Sequence, residues 1–209
     1  YQCFSAFAGN PYLISPDDLL AENLVTEEDL VELKELPASK VDFGLFIPKK
    51  LDLLAKAFQR YQADPEPLRD AFNYFCAENA YWLDDFALFM ALKEANGGGA
   101  WNGWDPALRA RKKTALTKAK KEQAINVERF SFYQFLFFRQ WTRLRKYANE
   151  KGIQIMGDIP IFVAYDSADV WANPDLFFLD EAGNPTVVAG VPPDLFSTTG
   201  QLWGNPLYN

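Results

Sequence analysis

The chain has 209 residues, 49% of them hydrophobic and 23% charged, with a formal net charge of -7; this is material for one large or two small globular domains. The acidic balance argues against a nucleic-acid partner, which needs a basic face, and no run of about 18 apolar residues is present to span a membrane. Histidine is absent, which removes Ser–His and Cys–His catalysis together with the commonest metal ligand.

Two cysteines, Cys3 and Cys76, make no disulfide framework and fit a reducing compartment. The chain opens on Tyr1 and stops at Asn209 after a Trp-bearing loop, and both ends read as cuts.

In chain order, residues 1–50 are irregular, with turn signals at Gly9-Asn10-Pro11 and Ser15-Pro16-Asp17. Short helices are predicted at Asp17–Glu22 and Thr26–Leu36, the second capped by Thr26 and ended by Pro37. From Lys49 to about Ala95 the apolar residues keep helical spacing. Asn96-Gly97-Gly98-Gly99 is a stop, after which Asp105-Pro106 opens a charged helix to about Gln123. Its basic cluster, from Arg109, Arg111, Lys112 and Lys113 to Lys121, reads as a solvated face. The clearest helix is Asn126–Glu150, closed by Gly152. Ile153–Asp158 then reads as an apolar strand ending in a carboxylate, the step from helix to strand of a parallel α/β sheet or barrel. Beyond it, a short helix at 166–172 is capped by Asp166. Leu176–Leu179 and Thr186–Val188 are predicted to pair as a hairpin. From Ala189 onward no period is present, and so long an irregular stretch points to a functional loop.

Several residues have the chemistry for a site. Asp158 stands at the predicted end of a strand, where barrels place their active-site groups, or else it caps the next turn. The terminal loop offers Trp203 and Phe196 as apolar faces and Gln201, Asn205 and Asp194 as hydrogen-bonding groups. A pyranose, with its apolar C–H face and hydroxyl rim, needs that mixture; a loop pinned to its own domain by Phe and Trp is the plain alternative. Tyr81, Trp82, Phe86 and Phe89 sit at helical spacing and read as core. The loop aromatics Tyr1, Phe46, Trp101, Trp104 and Trp203 are the candidate platforms. Asp84 and Asp85 point about 100° apart on a helix, so they are no catalytic pair.

Tyr1–Pro11, Val41–Gly44, Trp82–Phe89, Phe137–Trp141, Gly157–Ala164, Asp166–Trp171 and the loop to Pro206 resemble, in order, segments of the 4-α-glucanotransferases of glycoside hydrolase family 77. The resemblance covers essentially the whole chain. It implies an α/β fold, a partial (β/α)8 TIM barrel of the α-amylase type with a mostly helical inserted subdomain. Residues 1–14 would be a barrel loop, 15–125 the insert, and 126–209 a barrel helix, the strand ending at Asp158 and the active-site loop. It also implies transfer of α-1,4-glucan segments between maltodextrins by retaining double displacement, without metal or cofactor, in the cytoplasm or, in a plant or alga, the plastid. Retention needs two carboxyls about 5–5.5 Å apart. The family's nucleophile lies in an Arg-Ile-Asp-His-Phe-type motif that these 209 residues do not contain. The residues carried over are therefore substrate-binding: Tyr1, Asp158, Gln201 and Trp203, with Leu195 and Phe196 at a tip folding over the glucan. Leu195 stands where many relatives have Tyr, and Tyr165 where many have His. Phe46 falls where some members place a Tyr in a second glucan site. The rival readings are a non-catalytic glucan-binding module and an amylase-type hydrolase.

Overall fold

The computed structural model describes residues 3–209, so Tyr1 lies outside the described residues. Helices dominate: Pro16–Ala21 (α1), Glu27–Lys34 (α2), Phe43–Ala63 (α3), Arg69–Ala95 (α4), Pro106–Arg109 (α5), Lys113–Glu122 (α6), Ala124–Glu150 (α7) and Ala168–Ala172 (α8). Val188–Val191 (β1) and Gln201–Pro206 (β2) form a two-stranded antiparallel sheet. None of these helices is long and apolar enough to cross a membrane. The chain gathers into two compact units. A helical unit holds Gly9–Ala80 and Arg129–Met156; a second holds the residues up to Ala8, Tyr81–Glu128 and Gly157–Asn209.

In the helical unit, local chemistry starts each element. Ser15 accepts from the Asp18 N–H with Pro16 in the first helical position. Asp29 reaches back to the Thr26 N–H at 2.9 Å, which closes the start of α2. Asp42 accepts from the Leu45 N–H at 3.2 Å, so α3 begins well before Lys49 and runs through Pro48. The core is aromatic. Phe132 of α7 is fully buried, stacked on Tyr61 at 4.4 Å and edge-on to Phe72 at 5.7 Å; each ring so buried contributes about 1.5–3 kcal/mol.

The irregular stretch 9–15 is held by side chains rather than by a ladder. Gln134 accepts from the Gly9 N–H at 2.7 Å and donates to the Gly9 carbonyl at 3.0 Å. Six residues along α7, Gln140 does the same to Ser15 at 2.6 and 3.4 Å. Lys50 donates to the Ile14 carbonyl, and burial pushes its amine down to about 8. Gly9 is required here, because a Cβ would stand 2.0 Å from the Phe137 ring.

The second unit is built on indoles. Phe89, Trp104 and Trp171 are buried with centroids 5.3–5.9 Å apart. Each indole N–H finds a carbonyl: Trp101 that of Tyr165, Trp104 that of Gly99, Trp171 that of Leu108. Arg111 lies over Trp171 at 4.3 Å and pairs with Asp85 at 2.6 Å, and Lys120 pairs with Asp84 at 3.6 Å. Arg111 is thus part of the packing rather than of a solvated face.

Several expectations are corrected. Residues 153–158, expected as a strand, form none here, and among the described residues none pairs with them. A parallel strand exists only through hydrogen bonds to neighbours. The part of the fold class that does appear is a mostly helical chain with a small sheet. The expected hairpin closes across the expected turn, with the Thr186 N–H donating to the Phe178 carbonyl at 2.9 Å, but only as isolated contacts rather than as strands. Leu179 bridges Pro185 and Phe177 bridges Tyr208, while the stretch expected to be irregular folds into β1 and β2. Ser167, not Asp166, caps α8, because Asp166 is taken by Lys93. Trp101 and Trp104 are buried and Tyr81 is 74% exposed, the reverse of what was expected.

Asp29 allows a test of the helical unit. Burial would raise its carboxyl, but the Thr26 N–H and Arg60, at 2.7 Å, prevail and hold it down to about 2. A depressed carboxyl stabilises the fold above its ordinary value of 3.8, and this is lost as pH falls toward 2. The Tm advantage of the wild type over Asp29→Asn should therefore be constant near neutrality and shrink across that window. A difference independent of pH would show that the ion pair contributes nothing.

Candidate functional site

The second unit contains a cleft of about 510 Å3. One side is the segment after α7, with Asp158, Ile159, Ile161 and Phe162; the other is β2, with Gln201, Trp203 and Asn205. The two sides are tied by Asn205, which is buried and donates to the Val163 carbonyl at 2.9 Å. Asp158, Gln201 and Trp203, all singled out in the sequence, thus line one cleft. Asn205, named among the hydrogen-bonding groups of the loop, lines it too, whereas Phe162, Ile159 and Ile161 were not singled out. Phe162 and the two isoleucines follow Asp158 directly, and that proximity was the available signal.

The sheet explains how β2 presents its side chains. Gly190 pairs with Leu202 and Val191 with Gln201, with a register shift between Val188 and Gly190. Along β2, Gln201 and Trp203 are two residues apart and share a face. The Trp203 indole N–H donates to Gln201 Oε1 at 3.1 Å, which orients the amide and leaves its nitrogen as a donor. Phe162 meets Trp203 edge-on at 6.2 Å and stacks on Tyr208 at 6.5 Å, forming an aromatic wall. Asp158 is exposed, its Oδ1 accepting from the Ile159 N–H at 2.8 Å. Its turn contact is thus with the next residue rather than with the amides beyond Pro160.

The turn between the strands is fixed by Asp194, whose Oδ1 accepts from the Phe196 and Ser197 N–H groups, both at 2.8 Å. Leu195 and Phe196 stand at its tip, fully exposed, and do not line the cleft. Phe46 belongs to the helical unit, where it is half-buried against Tyr12 at 6.3 Å. Tyr165 donates to the Gly183 carbonyl at 2.7 Å; burial, aided by Asp180 and Asp166, pushes its phenol up to about 12. It acts there as a fixed donor.

The cleft offers an apolar indole and phenyl beside one carboxylate and one oriented amide. That set can hold a ligand with apolar faces and a hydroxyl rim. It holds a single lining carboxylate, so the paired-carboxyl chemistry of glycosyl transfer is not assembled from these residues. Among the described residues there is also no cluster of metal-ligating side chains.

A sequence model of glycoside hydrolase family 77, described as 4-alpha-glucanotransferase, matches residues 1–209. The chain belongs to that family. It is 53% identical to the 4-alpha-glucanotransferase of Thermus thermophilus, and 40% identical to the chloroplastic/amyloplastic 4-alpha-glucanotransferase of Solanum tuberosum. Both matches cover all of this chain, which spans 41% of the first relative's length and 36% of the second's. Among solved structures, an amylomaltase from Streptococcus agalactiae in complex with acarbose matches with a TM-score of 0.93 at 40% identity. That match covers the whole of this chain and 42% of the other.

Gly200 tests the turn that carries the site. Its φ is +74°, and a Cβ would stand 2.6 Å from the Val191 carbonyl oxygen. Gly200→Ala should destabilise the hairpin by about 1–3 kcal/mol. Hydrogen exchange should then quicken at the amides of β1 and β2 and not at those of α4. Unchanged exchange in the hairpin would refute this account of the turn.

Proposed function

We propose that the protein carrying this chain is a 4-α-glucanotransferase, moving α-1,4-glucan segments between maltodextrins by retaining double displacement. In this reading the 209 residues supply glucan-binding walls, and the nucleophile and the acid/base come from the rest of the protein. The observation that carries it is the convergence of Asp158, Gln201 and Trp203 on one cleft, in a chain matched by the family along its whole length.

Each group has a physical task. Trp203 stacks against the C–H face of a glucose unit beside the cleavage point and keeps water from the reacting carbon. Gln201, oriented by the indole N–H, donates to a sugar hydroxyl, and Asp158 accepts from another through a charge-assisted bond. Leu195 and Phe196 fold over the glucan from the turn, and Tyr1 lines the donor side. Phe46 is assigned to a second glucan site. The domain organisation is that given by the resemblance: a barrel loop at 1–14, an insert at 15–125, and the barrel helix, strand and active-site loop at 126–209. Residues 153–158 take their place in a barrel sheet beside strands supplied by the rest of the protein. The protein works without cofactor or metal, in the cytoplasm or, in a plant or alga, in the plastid.

The test is made on the full-length protein with maltotriose. A ladder of longer and shorter glucans, glucose included, supports transfer; shorter sugars alone make the protein a hydrolase, and no product makes it a binding module. Trp203→Ala should lower transfer 10-fold or more, about 1.4 kcal/mol in the barrier. Hydrolysis, with water as acceptor, should fall less, so that the ratio of hydrolysis to transfer rises. Asp158→Asn should depress both alike. A collapsed Tm in Trp203→Ala with an unchanged ratio would make Trp203 a structural residue.

A further inference from the structure

The polar groups that line the cleft do not meet water equally. Asp158 and Gln201 are exposed, whereas Asn205 is only 9% exposed. The backbone brings this about. Gly204 has a φ of +77°, which glycine adopts freely, and along β2 the residues pass there from exposed to buried. Pro206 holds the residue before it to an extended conformation and pairs with Val188 in the ladder. Asn205 is thus set in place from both sides of its own backbone.

Its side chain has an oxygen to spare. Nδ2 donates to the Val163 carbonyl at 2.9 Å. Turning the amide over would bring two oxygens together, so that bond settles which atom is which. Among the described residues none donates to Oδ1, and that atom is not sealed from solvent. Gln201 presents the opposite pole, since its Oε1 takes the Trp203 indole N–H and its nitrogen is left as a donor. Gln201, Trp203 and Asn205 follow one another at intervals of two residues and all line the cleft. Along β2 the indole therefore lies between an amide that donates and an amide that accepts.

We propose that Asn205 is a substrate-binding residue that sets specificity, its Oδ1 accepting from a glucan hydroxyl on the side of Trp203 away from Gln201. The assignment rests on the transferase reading of the cleft. Burial decides which of the three polar groups discriminates. An exposed group that lacks its sugar partner keeps its bond to water, so Asp158 and Gln201 reject an altered sugar only weakly. Asn205 is different. A glucan lying on Trp203 excludes solvent from an oxygen that is already nearly enclosed. With a hydroxyl opposite, the bond forms in a low-dielectric setting, where it is strong. Without one, the acceptor is left buried and unpaired at its full desolvation cost. The cleft thereby selects for a hydroxyl donor at one position of the glucan, and not for an apolar ring face alone.

The experiment measures kcat/KM on the full-length protein, with maltotriose and with maltotrioses that each lack one hydroxyl, for the wild type and Asn205→Ala. Asn205→Ala should lower kcat/KM for maltotriose about 10-fold or more. In the wild type the loss of one particular hydroxyl should cost a similar factor. In Asn205→Ala the loss of that same hydroxyl should cost no more than about 2-fold, because its partner is already gone. A purely structural tie between Asn205 and Val163 gives another pattern: the variant weakens toward every substrate by one factor, and each hydroxyl keeps its wild-type penalty. That pattern overturns the proposal, whatever the Tm of the variant. Should Asn205→Ala fail to fold, a crystal of the full-length wild type with acarbose decides. A sugar hydroxyl within about 3.0 Å of Asn205 Oδ1 is expected, and a bound sugar chain with no hydroxyl in reach of that oxygen is fatal to the assignment. A wild type that gives no transfer overturns the transferase reading and this proposal together, whereas an active wild type with unchanged hydroxyl penalties in the variant removes Asn205 alone.

Discussion

Lys93 brings a charged ammonium to the end of α4 with only 10% of its side chain exposed. An ammonium in that position persists only if it is paired and its protons are used. Asp166 supplies the charge, and the carbonyls of Gly98 and Gly99 accept at 2.9 and 3.3 Å. Asp166 in turn accepts from the Trp101 N–H at 3.4 Å. The last turn of α4, the glycine run, Trp101 and the start of α8 are therefore fixed by one ion pair. Removing Asp166 would leave the buried ammonium without its counter-charge, whereas the half-buried carboxylate could turn to water if Lys93 were lost. The cleft depends on the pair at one remove, since Val163, to which Asn205 is anchored, lies three residues before Asp166.

The helices were legible because their signals are local. Thr26 followed by Asp29, Ser15 followed by Pro16, and Gly152 after a long apolar stripe each act within one turn. The long helix expected at Asn126–Glu150 begins two residues earlier, at Ala124. The errors arose where partners are distant. Asp166 has every attribute of a cap, yet the neighbouring serine takes that role because a lysine 73 residues away takes the carboxylate. Trp101 and Trp104 looked like platforms because they interrupt helical spacing, but the carbonyls of Tyr165 and Gly99 satisfy their indoles and let them sink. Tyr81 was grouped with Trp82, although adjacent helical residues diverge by about 100°. The hairpin of β1 and β2 carried no alternation to read, since Gly190 and Gly204 break the pattern.

The site was legible only in part. Loop composition named a sugar-like mixture without deciding between binding and packing, and it was the family resemblance that joined Asp158 to Gln201 and Trp203. The structure adds the groups that hold those three in place. Asn205 anchors β2, Phe162 and Tyr208 back the indole, and Asp194 organises the turn. Asp194 acts on amides only two and three residues on, whereas the roles of Asn205, Phe162 and Tyr208 have no local signature, because each is defined by a contact far along the chain.

The tip of that turn has a further consequence. Leu195 and Phe196 present their side chains to water at full exposure, on a backbone already ordered by the two bonds to Asp194. Whatever covers them removes apolar surface from solvent without first having to freeze a mobile segment. Such an encounter leaves a calorimetric signature: the heat capacity of the complex falls as the tip is dehydrated, while little conformational entropy is given up in the turn itself.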